Sequence, residues 1–197
     1  MKGKFKPFST TLIGSLPRSK ELLSLKESSD NYDKFKSLYN EKLLEETKKV
    51  VELQKECGID VIVSGELNRD NYMSYVAEVV DGIKLLNMEE VMSLTNNTDN
   101  FSKSLEEMDA ADDTMNSPIC FSKLDTKKRL NDFEFGILKE LVDGDIKCTL
   151  PSPYLLTRSM WLKEVTGKVY DGRRELGEDV VELLCNEIRE LVESGAK

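Results

Sequence analysis

The stretch from Glu56 to Asp70, ECGIDVIVSGELNRD, constrains the fold of this chain more than any other. The residues before it carry apolar side chains at helical spacing, and Gly58 follows where a glycine closes a helix without steric cost. Residues 59–63 are mostly apolar and β-branched, which is typical of a parallel strand covered on both faces. The pattern therefore predicts a helix, a tight turn and a buried strand that ends at Gly65 and Glu66.

Glu66 is the first functional candidate, because ligands of α/β folds bind at the carboxyl ends of parallel strands. A solvated loop carboxylate is the alternative, since most surface carboxylates have no chemical role. A second strand of this kind is predicted over residues 8–15, FSTTLIGS, and it ends at Gly14 and Ser15. The backbone amides and the Ser15 hydroxyl at this end can bind a carboxylate or an amine, and an ordinary strand-to-loop turn is the alternative.

The remaining sequence alternates helical patterns with short strands. A third strand is predicted over residues 146–150, and residues 118–124 are a candidate strand or hairpin arm. Apolar periodicity predicts helices over residues 32–57, 71–86, 126–143, 154–165 and 170–194, the second of which should end near Asp81 and Gly82. Residues 87–117 are acidic and polar, with few large apolar side chains, which favours an inserted loop.

This alternation predicts an α/β fold, a partial (β/α)8 TIM barrel with roughly its first three βα units. We expect one incomplete barrel domain over residues 1–197, interrupted by the acidic polar insertion over residues 87–117. A closed eightfold barrel needs about 250 residues, and the last helix leads into a fourth strand that the sequence does not contain. Because an open sheet edge is normally paired or covered, we expect self-association through the open barrel edge.

Composition excludes several classes of function. The net charge is −9, with 28 basic and 37 acidic residues and no basic stripe, which disfavours a nucleic-acid partner. The four cysteines are far apart and indicate reduced thiols. No secretory signal and no apolar run of about 20 residues is present, which predicts a soluble cytoplasmic protein without membrane contact. The chain has no histidine, and this excludes histidine as general base or metal ligand.

Three strand ends together resemble the catalytic, C-terminal barrel of cobalamin-independent methionine synthase. Residues 9–18, STTLIGSLPR, are similar to the family's TTxIGSFPR opening, and residues 147–153 are similar to its K-G-x-L-T-G-P strand end. The second strand end resembles the family pattern Q-x-x-x-G-x-D-V-x-x-x-G-E-x-x-R, which continues to a tyrosine and a glycine. The residues in register are Gln54, Gly58, Asp60, Val61, Gly65, Glu66, Arg69, Tyr75 and Gly82.

The resemblance implies a substrate site for homocysteine or methionine. The backbone and hydroxyl of residues 13–15 would take the carboxylate of the amino acid, and Glu66 would accept from its ammonium. The implied reaction is methyl transfer from a methyl-folate to the thiol of homocysteine, with these two small molecules as partners. The implied binding residues are Ile13, Gly14, Ser15 and Glu66, followed by Arg18, Gly65, Arg69 and Trp161.

Zinc is the cofactor that the resemblance implies, because family members hold the homocysteine sulfur on zinc as a thiolate. The family's zinc ligands, a His-x-Cys pair, a Glu and another Cys, lie on later strands and have no counterpart in this chain. The resemblance thus assigns no metal ligand and no catalytic residue to it. We expect this chain to be inactive alone and to bind homocysteine weakly or not at all.

Two alternative functions remain open at this point. One is a corrinoid-dependent methyltransferase or a uroporphyrinogen decarboxylase-like protein, which share the barrel type. The other is a non-catalytic barrel fragment that acts as an interaction module. Zinc content distinguishes a thiol methyltransferase, which needs the metal, from an interaction module, which does not.

Overall fold

Helices dominate the computed structural model, which describes residues 5–31, 33–95 and 116–196. A 3₁₀ turn at Asp33–Phe35 precedes the second helix. In chain order the elements are α1 (Lys20–Asn31), α2 (Lys36–Glu56), β1 (Val61–Ile62), α3 (Val76–Val79), β2 (Ile83–Leu86), α4 (Met88–Leu94), β3 (Ser117–Cys120), α5 (Asp132–Leu141), β4 (Asp145–Ile146), α6 (Pro153–Met160), α7 (Lys163–Thr166) and α8 (Arg173–Glu193).

The chain divides into two compact units, each assembled from separate chain segments. The first unit is Met1–Arg69, Asn131–Thr149 and Glu190–Lys197, and the second is Asp70–Leu130 and Leu150–Arg189. The organisation of residues 1–197 as one domain stays a prediction. None of the described helices combines the length and the apolarity needed to cross a bilayer.

Three segments of the first unit run parallel to one another. Thr11 forms an isolated parallel bridge with Val61, and β1 pairs in parallel with β4. The Lys147 amide extends this pairing by donating to the carbonyl oxygen of Ile62 at 2.9 Å. The segment at residue 11, β1 and β4 therefore lie side by side in chain order, as shorter versions of the three predicted strands.

Two polar side chains fix the position of β1. Gln54, which is buried at the end of α2, donates to the Val63 carbonyl oxygen at 2.9 Å and accepts from the Val63 amide at 3.0 Å. Asp60 accepts from the Thr10 amide at 2.8 Å and the Thr10 hydroxyl at 3.1 Å. The amide hydrogen bond, followed by the hydroxyl, lowers the pKa of Asp60. Together these contacts set the register at which the first segment and β1 end.

The second unit packs helices against one antiparallel pair of strands. Residues 83–86 of β2 pair with residues 117–120 of β3. The main core cluster contains Met73, Tyr75, Val76, Val80, Ile83, Cys120, Leu124, Leu130, Leu156, Met160, Tyr170, Leu176, Val180, Leu183 and Leu184. From α8, Leu176, Val180, Leu183 and Leu184 are buried in this core, whereas Val181 and Ile188 are exposed.

Several predicted boundaries differ from the structure. The helix predicted over residues 71–86, with its end near Asp81 and Gly82, is much shorter in the structure: only Val76–Val79 is helical, Gly82 has a φ of +88°, and residues 83–86 form β2. The helix predicted from residue 126 begins at Asp132 instead. The Thr126 hydroxyl does not cap it and donates to Glu182 at 3.0 Å.

The insertion predicted over residues 87–117 is described only at its two ends. Its first residues form α4, and the Asn87 side chain caps that helix by accepting from the Glu90 amide at 2.9 Å. Its last residue begins β3. Residues 96–115 lie outside the described residues, so a loop over that stretch stays a prediction.

Candidate functional site

A left-handed turn follows β1 and carries the main candidate carboxylate. Gly65 and Glu66 have φ values of +77° and +55°. A glycine adopts this backbone freely, whereas a glutamate needs support from its surroundings, and such residues concentrate at functional sites. The Glu66 amide donates to the Ser64 hydroxyl oxygen at 3.1 Å, and the Glu66 carbonyl accepts from the Arg69 amide at 3.1 Å. The turn is thereby held at both ends.

Gly14 allows the first segment to approach the Glu66 side chain. A Cβ at this buried position would lie 2.5 Å from Glu66 Oε1 and 3.2 Å from Thr149 Cγ2, so no other residue fits without displacing them. On either side of it, Ile13 is 96% exposed and Ser15 is exposed. The structure thus places Gly14 directly beside Glu66, with the exposed Ile13 and Ser15 as its chain neighbours.

The two oxygens of the Glu66 carboxylate have different surroundings. Oε1 accepts a hydrogen bond from the Thr149 hydroxyl at 2.6 Å. Arg69 Nη1 lies 3.6 Å from the same oxygen, which is too long for a hydrogen bond. Oε2 has no hydrogen-bond partner among the residues that the structure describes. Glu66 is 7% exposed, so this available acceptor belongs to a largely buried carboxylate.

Arg69 is 1% exposed and connects the β1 turn to α5. Its Nε and Nη2 donate to the two carboxylate oxygens of Glu134 at 2.6 and 2.8 Å, a bidentate pair. Nη2 also donates to Asn131 Oδ1 at 3.1 Å and to the Thr149 carbonyl oxygen at 3.2 Å. Ser64 completes this network by donating to Glu134 at 3.0 Å.

The three ionisable side chains of this network do not balance in charge. Two carboxylates, Glu66 and Glu134, face one guanidinium, that of Arg69, which leaves one negative charge. A buried charge without compensation is costly, so the site favours a cationic group beside Glu66. The ammonium of Lys147 is directed elsewhere, to the carbonyl oxygen of Ile13 at 3.0 Å.

Backbone N–H donors lie at Gly14 and its chain neighbours, beside the Glu66 carboxylate. In the described part of the chain, the amide N–H groups of residues 13–15 donate no hydrogen bond, and neither does the Ser15 hydroxyl. Backbone N–H groups need a partner, and a turn that presents several of them is suited to an anion. An acceptor for an ammonium and donors for a carboxylate are therefore adjacent, which is the pattern that an α-amino acid requires.

The other predicted site residues have different positions. Arg18 donates from Nη1 to the carbonyl oxygen of Arg69, and this contact ties the loop after the first segment to the β1 turn. Gly65 supplies the left-handed backbone of that turn. Trp161 belongs to the second unit, where it follows α6 and packs half-buried against the core of that unit. A binding role for Trp161 stays a prediction.

Several residues of the site, among them Lys147, Thr149 and Glu134, were not predicted from the sequence. Lys147 and Thr149 follow β4 and are two residues apart, so a strand would present both on one face, and this signal was available in the third strand-end motif. Glu134 gave no such signal. Its partner Arg69 is 65 residues away in the sequence, and nothing local to α5 identifies that pairing.

The residues that the structure describes do not fit zinc. The chain has no histidine, and within residues 5–31, 33–95 and 116–196 no three cysteine, aspartate or glutamate side chains come together as a metal site.

Sequence comparisons found a matching family model and several similar proteins. Residues 8–139 match the family model described as "Cobalamin-independent synthase, Catalytic domain". Similar proteins named 5-methyltetrahydropteroyltriglutamate–homocysteine methyltransferase include one from Coxiella burnetii (strain RSA 331 / Henzerling II), 36% identical over 78 residues. Another, from Thermotoga sp. (strain RQ2), is 24% identical over 190 residues. The alignments cover 40% and 96% of this chain but only 10% and 23% of those proteins, so the chain spans less than a quarter of their length.

A solved structure shares the fold. It is the structure of a B12-independent methionine synthase from Shewanella sp. W3-18-1 in complex with selenomethionine. The TM-score is 0.57 at 16% sequence identity, and the match covers 81% of this chain and 41% of that one.

Proposed function

The chain belongs to the cobalamin-independent synthase family, catalytic domain, and from this premise we propose that it carries the half of the site that binds homocysteine or methionine. The observation that carries the proposal is the buried Glu66 carboxylate beside Gly14, with one oxygen held by Thr149 and the other without a partner in the described residues. The family match favours this function over a corrinoid-dependent or uroporphyrinogen decarboxylase-like enzyme.

The proposed binding mode uses both charged groups of the amino acid. The ligand ammonium donates to Glu66 Oε2 and compensates the excess negative charge of the network. The ligand carboxylate accepts from the backbone amides of residues 13–15 and from the Ser15 hydroxyl. Charge-assisted hydrogen bonds of this kind are about twice as strong as neutral ones, and the Glu66 side chain is held in advance by Thr149 and the β1 turn.

The proposed reaction type is that of the named relatives, methyl transfer from a methyl-folate to homocysteine. In this reaction the described residues bind and orient the amino acid, and they supply no group that activates the thiol. We therefore expect no methionine above the blank when the chain alone is incubated with homocysteine and methyl-tetrahydrofolate, as measured by mass spectrometry. Methionine produced by the chain alone would contradict this assignment.

The fold and assembly belong to the same proposal. The parallel order of the segment at residue 11, β1 and β4 supports roughly the first three βα units of a (β/α)8 barrel. Self-association through the open barrel edge and a cytoplasmic location stay predictions. A monomeric mass in light scattering would contradict the self-association.

Titration with L-methionine tests the binding site. We expect weak binding to the unchanged chain and a loss of about 1.5–3 kcal/mol in Glu66→Gln, roughly ten- to a hundredfold in affinity. Glu52→Gln is the matched control, because Glu52 is an exposed carboxylate on α2. Binding that survives Glu66→Gln would remove Glu66 from the site. Absence of any binding to the unchanged chain would overturn the proposal as a whole.

A further inference from the structure

Two carboxylates compete for one buried guanidinium in this site. Arg69 donates to Glu134 through Nε at 2.6 Å and Nη2 at 2.8 Å. Its contact with Glu66 is much looser, with 3.6 Å between Nη1 and Oε1. Since a guanidinium in a close bidentate pair has most of its charge compensated there, this asymmetry decides which carboxylate stays uncompensated.

We propose that Glu134 is a positioning residue that holds Arg69 away from Glu66 and so keeps the Glu66 charge available to the ammonium of an amino-acid ligand. The inference rests on the proposed function, because it explains how a buried carboxylate next to an arginine can still bind a cation. Glu134 acts through Arg69 and does not itself touch the ligand.

The surroundings of Glu134 suit it to this role. It lies in the first turn of α5, and its side chain is only 11% exposed, so its geometry is restricted. The Ser64 hydroxyl donates to its Oε2 at 3.0 Å and fixes the carboxylate plane. Nη2 of the guanidinium also donates to Asn131 Oδ1 and to the Thr149 carbonyl oxygen. Loss of the Glu134 charge would leave the nearby Glu66 carboxylate as the anionic partner of Arg69.

Neither of the two neighbouring cations, Lys147 and Arg18, forms an ion pair with Glu66 in the described part of the chain. Lys147 is bound to the carbonyl oxygen of Ile13 at 3.0 Å, and Arg18 is bound to the carbonyl oxygen of Arg69. Among the residues with described positions, Arg69 is the one cation within 4.0 Å of the Glu66 carboxylate. The orientation of Arg69 therefore controls how much negative charge Glu66 presents to a ligand.

A ligand comparison separates this role from a purely structural one. The probes are L-methionine and γ-(methylthio)butyrate, which has the same carboxylate and thioether but no amino group. In Glu134→Gln we expect the affinity for L-methionine to fall about tenfold or more, and that for γ-(methylthio)butyrate to change less than about threefold. The matched control is Glu140→Gln on the exposed side of α5, which should leave both affinities unchanged. Equal losses for both probes would overturn the proposal.

A double variant tests the same point by rescue. If Glu134→Gln acts by releasing Arg69 towards Glu66, adding Arg69→Met removes the competing cation. We expect L-methionine affinity in the double variant to return to within about threefold of the unchanged chain. An affinity as low as that of Glu134→Gln, or lower, would show that the pair is needed only for folding and would overturn the proposal.

A crystal structure of Glu134→Gln tests the inference without a ligand. The distance between Arg69 Nη1 and Glu66 Oε1 should shorten from 3.6 Å to about 2.9 Å, a charge-assisted hydrogen bond. A guanidinium that keeps its position would overturn the inference. By contrast, failure of the unchanged chain to bind L-methionine would overturn the proposed function, so the two failures are distinguishable.

Discussion

Gly14→Ala is the most direct perturbation of the contact on which the site depends. The added methyl group would lie 2.5 Å from Glu66 Oε1 and 3.2 Å from Thr149 Cγ2, well inside van der Waals distance of the first atom. Gly14 does not have a left-handed backbone, so alanine meets no conformational penalty there. The effect of the substitution is therefore steric, and it acts on the Glu66 carboxylate.

The change in the free energy of unfolding in Gly14→Ala has three contributions. Overpacking a buried position costs about 1–3 kcal/mol. Displacing Glu66 breaks its 2.6 Å hydrogen bond from Thr149, and a hydrogen bond to a charged group contributes about 1.5–3 kcal/mol. Replacing a glycine returns about 0.4–1 kcal/mol by restricting the unfolded chain. We expect a net loss of about 2–4 kcal/mol, which lowers the melting temperature by roughly 5–15 °C.

Thermal unfolding followed by circular dichroism measures this effect, and Gly136→Ala is the control. Gly136 lies inside α5, and a Cβ there would have nothing within 4 Å, so alanine should stabilise the protein by about 0.5–1 kcal/mol. The two glycine substitutions should thus have opposite signs, and only Gly14→Ala should also weaken L-methionine binding. A Gly14→Ala variant as stable as the unchanged chain would refute the close contact between Gly14 and Glu66.

Three further predictions concern other contacts. Thr149→Val removes the hydrogen-bond donor to Glu66 and should weaken L-methionine binding about three- to tenfold. Thr149→Ser keeps a hydroxyl and should bind L-methionine almost normally. Equal losses of affinity in the two variants, measured by titration, would contradict this role of Thr149. Burial raises the pKa of the Cys120 thiol to about 11 from an ordinary value of 9.0. Because the folded protein binds this proton more tightly than the unfolded chain, the thiol contributes its full stabilisation below pH 9 and loses it as the pH rises towards 11. The urea midpoint should therefore fall across that range, and it should fall less in Cys120→Ala. An equal fall of the midpoint in both proteins would refute the effect. Glu187→Ala removes a fully buried carboxylate that accepts from Arg129 Nε at 2.8 Å and the Leu130 amide at 3.0 Å. It should cost about 3 kcal/mol in urea unfolding, and a cost below about 1 kcal/mol would contradict the importance of the pair.

The sequence was sufficient to predict the strand ends of the site because those signals are local. A glycine after an apolar run, a carboxylate in the next position and a second strand ending at Gly14 and Ser15 together indicate a ligand site at one sheet edge. In the structure Gly14 and Glu66 are adjacent. The roles of these residues in binding remain predictions.

The pairings within the supporting network were not predictable, because they join residues far apart in the chain. Arg69 and Glu134 are separated by 65 residues, and Thr149 by 83 residues from Glu66. The length of the helix predicted over residues 71–86 was wrong for another reason. The apolar residues around Val76, Val80 and Ile83 fit a helical period and a short strand equally well, and the left-handed Gly82 decides between them.

A crystal structure of this chain with bound selenomethionine would show whether Glu66 binds the ammonium of an amino acid, since the anomalous signal of selenium locates the ligand without bias. We predict that the ligand ammonium lies about 3 Å from Glu66 Oε2 and that the ligand carboxylate lies on the amides of residues 13–15. Selenomethionine bound elsewhere, or bound with its ammonium away from Glu66, would contradict the account.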